Sequence, residues 1–355
     1  MRTVNRSRHV LLVASVGFCM GACGKSGGGT GAGGTPGLGG RGFAGGAPGA
    51  AGTSGTGGVP GSGGNPASGG MPGNGGGTGT GGSVPSGADC TVADWPTADP
   101  AVAGPFATVT EQNVGPVAGV AVDGGAPPQF TLFRPADLAQ GGLCHPIVTW
   151  GNGTGATPSM YGVLLTRLAS HGFVVIASNS TNVGQGNPAP MVAGVTWVLQ
   201  QNDDPTSVMY HRIDTTHVGA TGHSQGGFAT TTAGADSHIT TIAPLCGASA
   251  QRNLHGPAIL LCGGNDTNVP CDGTIKTAFD GINNQPIMLA DYLSADHASW
   301  ITFRGTTLSP MEIAVVAWMR VHLMGDSALR PRFYGADCAL CQDSAWKITQ
   351  KQMDP

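Results

Sequence analysis

Residues 129–292 alternate short, almost wholly apolar runs with longer segments of helical spacing, and few folds can accept that pattern. The runs are Gln129–Phe133, Pro146–Trp150 (PIVTW), Phe173–Ala177 (FVVIA), His217–Thr221 (HVGAT), Ile239–Pro244, Pro257–Cys262 (PAILLC) and Pro286–Tyr292. None shows the polar alternation of a strand with one wet face, so both faces must be covered. Between them, 158–170, 188–200, 226–235 and 274–281 read as helices, and 310–324 is a long amphipathic helix. Apolar strands separated by helices make an α/β protein with a mostly parallel sheet flanked by helices. In such sheets the reactive side chains lie on loops past the carboxyl ends of the strands.

The N-terminal quarter cannot join that sheet. Arg2, Arg6, Arg8 and His9 precede the apolar run Val10–Met20, and Gly21-Ala22 leads into Cys23. This is the three-part layout of an export signal, and its apolar run is too short for a permanent span. The stretch Met20-Gly21-Ala22-Cys23 resembles a bacterial lipobox, with Met in the usual Leu position, which makes Cys23 the expected lipidation site. Residues 24–88 are dominated by Gly, with Lys25 and Arg41 the only charges. Such a segment has too little apolar surface to offset its chain entropy and reads as a coil tether, with a reach of roughly 40–50 Å. The expected organisation is therefore a signal over 1–23, a tether over 24–88 and one catalytic domain over 90–355.

Net charge is −4 and charged residues are 10% of the chain. That field is too weak for a nucleic-acid groove, so a neutral substrate is expected and membrane contact only through Cys23. The chain is expected to act as a monomer. Nine cysteines are present. Setting aside Cys19 and Cys23 leaves Cys90, Cys144, Cys246, Cys262, Cys271, Cys338 and Cys341, an odd set that allows at most three disulfides and one free thiol. Zinc is the rival reading for Cys338 and Cys341, but no second pair completes a site.

The run HVGAT enters Gly222-His223-Ser224-Gln225-Gly226-Gly227, and a helical segment follows. Strand, G-x-S-x-G turn and helix in that order form a nucleophile elbow. The glycines flank a serine in a strained conformation, where larger side chains would collide with the neighbouring strand and helix. A serine needs a base and an acid, expected later in the chain in the order Ser, acid, His. PAILLC leads to Asp266, with Asp272 as a local rival. The run ending at Tyr292 leads to His297, the histidine on the loop directly past the strand after the acid; of the ten histidines only His322 lies further on, and it falls in the last helix. Ser224, Asp266 and His297 are thus the candidate catalytic set. The backbone N–H groups of Gln225 and Asn152, with Gly153 as the adjacent alternative, are the candidate oxyanion donors. This chemistry calls for no cofactor and no metal.

Several segments resemble bacterial cutinases and poly(ethylene terephthalate) hydrolases. They are AGPF (103–106), LASHGFVVIASNST (168–181), IDTTHVGATGHSQGG (213–227), PAILLCGGNDTNVP (257–270) and VVAWMRVHLMGD (315–326). The resemblance implies an α/β-hydrolase of eight to nine strands, without a lid, that cleaves esters or polyesters at an open cleft. Gln225 stands where that family carries methionine, and Asn152 where it carries an aromatic ring. The loop Pro244–Ala248 lacks the family's tryptophan. The aromatic clamp for a terephthalate ring is therefore incomplete, and Trp150, His223 and Trp300 are the candidate cleft residues. The family's disulfide beside the active site is not reproduced at matching positions, and Cys246, Cys262 and Cys271 are candidates for a local substitute. The alternatives are a peptidase or amidase, a dienelactone hydrolase, a short-chain carboxylesterase or lipase that does not act on polymers, and a non-catalytic surface protein of the same fold. The second would normally carry a cysteine nucleophile.

Overall fold

The computed structural model describes residues 90–117, 120, 127–180, 187–299 and 306–354, all within the unit Gly76–Pro355. The expected signal, tether, Cys23 and Trp300 lie outside the described residues. One nine-stranded sheet organises the rest. Its strands are β1 (Thr108–Val114), β2 (Phe130–Pro135), β3 (His145–Gly151), β4 (Val174–Ser178), β5 (Ile213–His223), β6 (Ile239–Leu245), β7 (Ala258–Gly263), β8 (Ile287–Tyr292) and β9 (Trp346–Lys351). Their spatial order is β1-β2-β4-β3-β5-β6-β7-β8-β9. The six strands from β4 to β8 pair in parallel, while β1, β2 and β9 pair antiparallel. This is the α/β-hydrolase architecture.

The central strands are buried because they carry nothing that water needs to reach. All seven residues of β3, all five of β4 and all six of β7 are buried. Helices α1 (Gly162–Ser170), α2 (Ala189–Asp203), α3 (Gln225–Ala233), α4 (Lys276–Gly281), α5 (Pro310–Leu323) and α6 (Ala339–Gln342) flank the sheet. The start of α5 is fixed by a capping box. Ser309 Oγ accepts the Glu312 N–H, Glu312 accepts the Ser309 N–H, and Pro310 occupies the first turn. The helix then lies close on the sheet: a Cβ on Gly219 of β5 would fall 2.6 Å from the Met319 sulfur. Trp318 is fully buried there, and its indole N–H donates to Thr241 Oγ1 at 2.8 Å.

Two expectations about elements change. The predicted helix over 158–170 is a 3-10 turn, Pro158–Tyr161, followed by α1. The last strand is β9, not the run ending at Tyr292. β9 is an edge strand and five of its six residues are half-buried or exposed, so it has no apolar run to betray it. Residues 246–257 join β6 to β7 without a helix. Among the described residues, cysteines pair as Cys90–Cys144, Cys262–Cys271 and Cys338–Cys341, leaving Cys246 as the free thiol.

Candidate active site

The carboxyl ends of β3, β5, β6, β7 and β8 bring the site together. At the end of β5, Ser224 holds φ 55° and ψ −117°, a region that non-glycine residues rarely occupy. Close backbone packing holds it there. A Cβ on Gly222 would lie 2.6 Å from the Gly226 carbonyl oxygen, and one on Gly226 would lie 2.0 Å from that of Gly151. Both glycines of the elbow are therefore required by contact. Gly247, just past β6, presses on the other side, where a Cβ would lie 2.0 Å from the Ser224 carbonyl oxygen. The Ser224 N–H donates to Leu245 O at 2.9 Å, and its carbonyl accepts from Gly227 and Phe228.

Ser224 Oγ lies 2.9 Å from His297 Nε2, and His297 Nδ1 lies 2.7 Å from Asp266 Oδ2. The other Asp266 oxygen accepts the N–H groups of Asn268 and Val269 at 2.9 and 2.8 Å. Asp266 is buried, which pushes its carboxyl up. The bonds from His297, the Val269 amide and the Cys246 thiol outweigh burial and hold it below the ordinary carboxylate value. The acid is thus ionised at neutral pH and fixes the imidazole with Nδ1 protonated, leaving Nε2 to accept a proton from Ser224. Asp272 lies outside this chain of bonds, and its carboxylate meets Lys347 at the surface.

Cys246, one of three candidates for a disulfide near the acid loop, is instead a free thiol beside the acid. Its sulfur, an Asp266 oxygen and a His297 nitrogen lie within 4.8 Å of one another. Burial, then the Asp266 charge, push the thiol well above its ordinary range, so it stays protonated and donates to the acid. The odd cysteine count required one unpaired thiol but did not say which. Cys262–Cys271 closes the loop that carries Asp266. A link across so short a loop stabilises by about 3 kcal/mol in chain-entropy terms.

Two sets of His, Cys and Asp come close enough to share an ion among the described residues. In Cys246, Asp266 and His297, the histidine is already bonded to both the acid and Ser224. In Cys262, Cys271 and Asp291, both sulfurs are tied in a disulfide. Neither offers a ready donor set.

The cleft candidates need correction. Trp150 is fully buried on β3, a central strand between β4 and β5. Its N–H donates to Asn152 Oδ1 at 3.0 Å and its ring packs on Tyr161. His223 is also buried, at 2% exposure, and faces inward. Neither can stack on a substrate. The Asn152 side chain is turned away as well. Its Nδ2 donates to the carbonyls of Ser178 and Ser180 at 2.5 and 3.1 Å, tying the ends of β3 and β4 together. The Gly153 N–H is taken by the Tyr161 hydroxyl at 3.2 Å, which disfavours it as an oxyanion donor relative to Asn152. Gln225 opens α3, where first-turn amides lack partners within the helix.

Beside the elbow lies a cavity of about 530 Å³ lined by Phe228, Ala248, Ala250, Thr274, Thr277 and Ala278. Phe228 is one helical turn beyond Ser224, and Ala248 follows the Gly247 that packs on Ser224. The hollow adjoins the loop where the family tryptophan is missing.

A protein-family model described as PET hydrolase-like matches residues 86–349. No curated protein matches the chain.

Proposed function

The chain belongs to the PET hydrolase-like family and is an ester hydrolase of the α/β-hydrolase type, and from that premise we propose that it works through Ser224, His297 and Asp266. His297 Nε2 takes the Ser224 proton as Oγ attacks the ester carbonyl, and Asp266 steadies the imidazolium. The N–H groups of Asn152 and Gln225 receive the negative charge of the tetrahedral oxygen. His297 then protonates the departing alcohol. Water, deprotonated by the same imidazole, releases the acid from the acyl-serine. The observation that carries this reading is the unbroken chain Asp266–His297–Ser224 at 2.7 and 2.9 Å.

The substrate is a neutral ester reached at an uncovered cleft. Asn152 stands at one aromatic position of the cutinase-like polyester hydrolases, and the loop Pro244–Ala248 lacks their tryptophan. The cavity beside Ala248 suits one flexible or ring-bearing substituent better than a clamped terephthalate. This favours short- to medium-chain carboxylic esters and aliphatic polyesters. The N-terminal segment supports export with a lipid on Cys23. Replacing Cys23 by Ser is expected to release the protein from the membrane fraction.

Hydrolysis of p-nitrophenyl acetate by the full chain tests the chemistry. Ser224→Ala is expected to lose activity by about 10⁴-fold or more. Activity equal to wild type in that variant contradicts the proposal.

A further inference from the structure

Behind the reacting atoms runs a second chain of hydrogen bonds that the proposed mechanism does not use. The Gly153 N–H donates to Tyr161 Oη at 3.2 Å, Tyr161 Oη lies 3.0 Å from His223 Nδ1, and His223 Nε2 lies 2.9 Å from the His297 carbonyl oxygen. Every direction in this chain is fixed by chemistry. An amide N–H can only donate and a carbonyl can only accept. His223 must therefore carry its proton on Nε2, its Nδ1 must accept, and the Tyr161 hydroxyl must donate to it. The chain connects the loop after β3, which carries the oxyanion donor, to the backbone of the base after β8. It passes through the residue preceding the nucleophile. All three rings are stacked or tilted against their neighbours: Tyr161 on His223 at 5.7 Å and His223 on His297 at 4.9 Å between centroids.

We infer that Tyr161 and His223 are positioning residues of the ester hydrolase, a relay that sets the His297 backbone and the Gly153 loop in register across Ser224. The inference rests on the serine mechanism proposed above. The relay acts through His297 and touches no substrate.

Its state is stable over the working range. Burial, and then the nearby His297, bring His223 down to about 3, and burial lifts Tyr161 to about 12. Neither group changes charge between pH 5 and 8, so the relay keeps one polarity while His297 cycles. Local links explain why both ends matter. The amide of Asn265, next to Asp266, donates to Ala295 O, so the base loop is also tied to the acid loop. A shift of the His297 backbone would thus disturb both bonds of its imidazole, and displacements of about 1 Å in such constellations cost about 10²-fold.

The test compares Tyr161→Phe, His223→Leu, their double variant and His223→Gln on p-nitrophenyl acetate, with melting temperatures. Tyr161→Phe keeps the ring packed on Trp150 and removes only the hydroxyl. Each single variant is expected to lower kcat about 10-fold with KM within about twofold. The double variant is expected to be no worse than His223→Leu, because both break one chain. His223→Gln should recover most of the loss, since its Nε2–H can reach the His297 carbonyl. Imidazole ¹⁵N spectra give a second readout that does not depend on the histidine variants folding. Wild type should show His223 protonated on Nε2 and bare on Nδ1 from pH 5 to 8, with the Nδ1 signal moving downfield in Tyr161→Phe. Unchanged kcat with a lowered melting temperature, strictly additive losses, or the opposite tautomer would overturn the relay. Ser224→Ala assayed in parallel separates the two readings. If it is as active as wild type, the serine mechanism fails. If it is inactive while the relay variants keep their kcat, only the relay fails.

Discussion

Around Ser224 the backbone does the holding. Gly151, Gly222, Gly226 and Gly247 come so close that a single Cβ would sit 2.0–2.9 Å from a neighbouring backbone atom. Around His297 the holding is done by side chains from distant parts of the chain. Asp266 fixes its ring at 2.7 Å, and His223 fixes its carbonyl at 2.9 Å across 74 residues of sequence. The elbow is thus a matter of steric exclusion, where a change of one methyl group is felt at once. The base loop is a matter of directed hydrogen bonds, where loss of one partner leaves the fold intact and degrades only orientation. The two regions should accordingly fail in different ways.

The largest effect belongs to the base side. Asp266→Asn keeps an oxygen for the Asn268 and Val269 amides but presents the wrong partner to His297 Nδ1. It is expected to lower kcat/KM by about 10³–10⁴-fold, with a melting temperature near that of wild type. Next comes the elbow. Gly226→Ala would place Cβ 2.0 Å from the Gly151 oxygen, and overpacking of this kind costs about 3 kcal/mol. That corresponds to a fall of roughly 6–12 °C in melting temperature. Gly162→Ala serves as its control: nothing lies within 4 Å of the added Cβ at the start of α1, and its stability should stay within about 0.5 kcal/mol of wild type or rise. If Gly226→Ala behaves like Gly162→Ala, the contrast between the two regions breaks.

A further effect is expected in acid. Burial holds three histidines neutral: His223 and His322 at about 3 and His171 at about 4, the charges of His297, Arg330 and Arg320 respectively adding to it. In the unfolded chain they take up protons near 6.5. Below that value the unfolded state binds more protons than the native state, so stability falls as pH drops from 6.5 towards 4. Each site contributes at most about 1.4 kcal/mol per pH unit. Urea unfolding at pH 7 and pH 4.5 should show the decline. A flat profile would mean that these histidines are not held neutral.

The same contrast explains what could be read from sequence. The elbow is local: Gly222 to Gly227 between an apolar run and a helix spells out its own steric demands. Asp266 and His297 were legible because strand order fixes where loops fall. Trp150 was misread because an aromatic at a strand end next to a reactive loop looks accessible, and only the packing of its ring against Tyr161 in the folded chain shows that it is covered. His223 was misread for a related reason. Tyr161 gave almost no signal and Cys246 was marked only as a candidate for a disulfide near the acid loop, since their partners lie 62 and 20 residues away and meet them only after the sheet forms. β9 was missed because an edge strand with half-exposed residues lacks the apolar run that marked the others.

The central claim is that Ser224 is the nucleophile, and its most direct test is covalent. The full chain is treated with diethyl p-nitrophenyl phosphate, which leaves a diethylphosphoryl group on an activated serine. Intact mass and peptide mapping then locate the adduct. The account predicts one adduct per chain, on Ser224, with loss of esterase activity in proportion to labelling. Its absence in Asp266→Asn over the same interval would follow from the lost base. An adduct on another residue, or full activity after Ser224 is completely labelled, would contradict it.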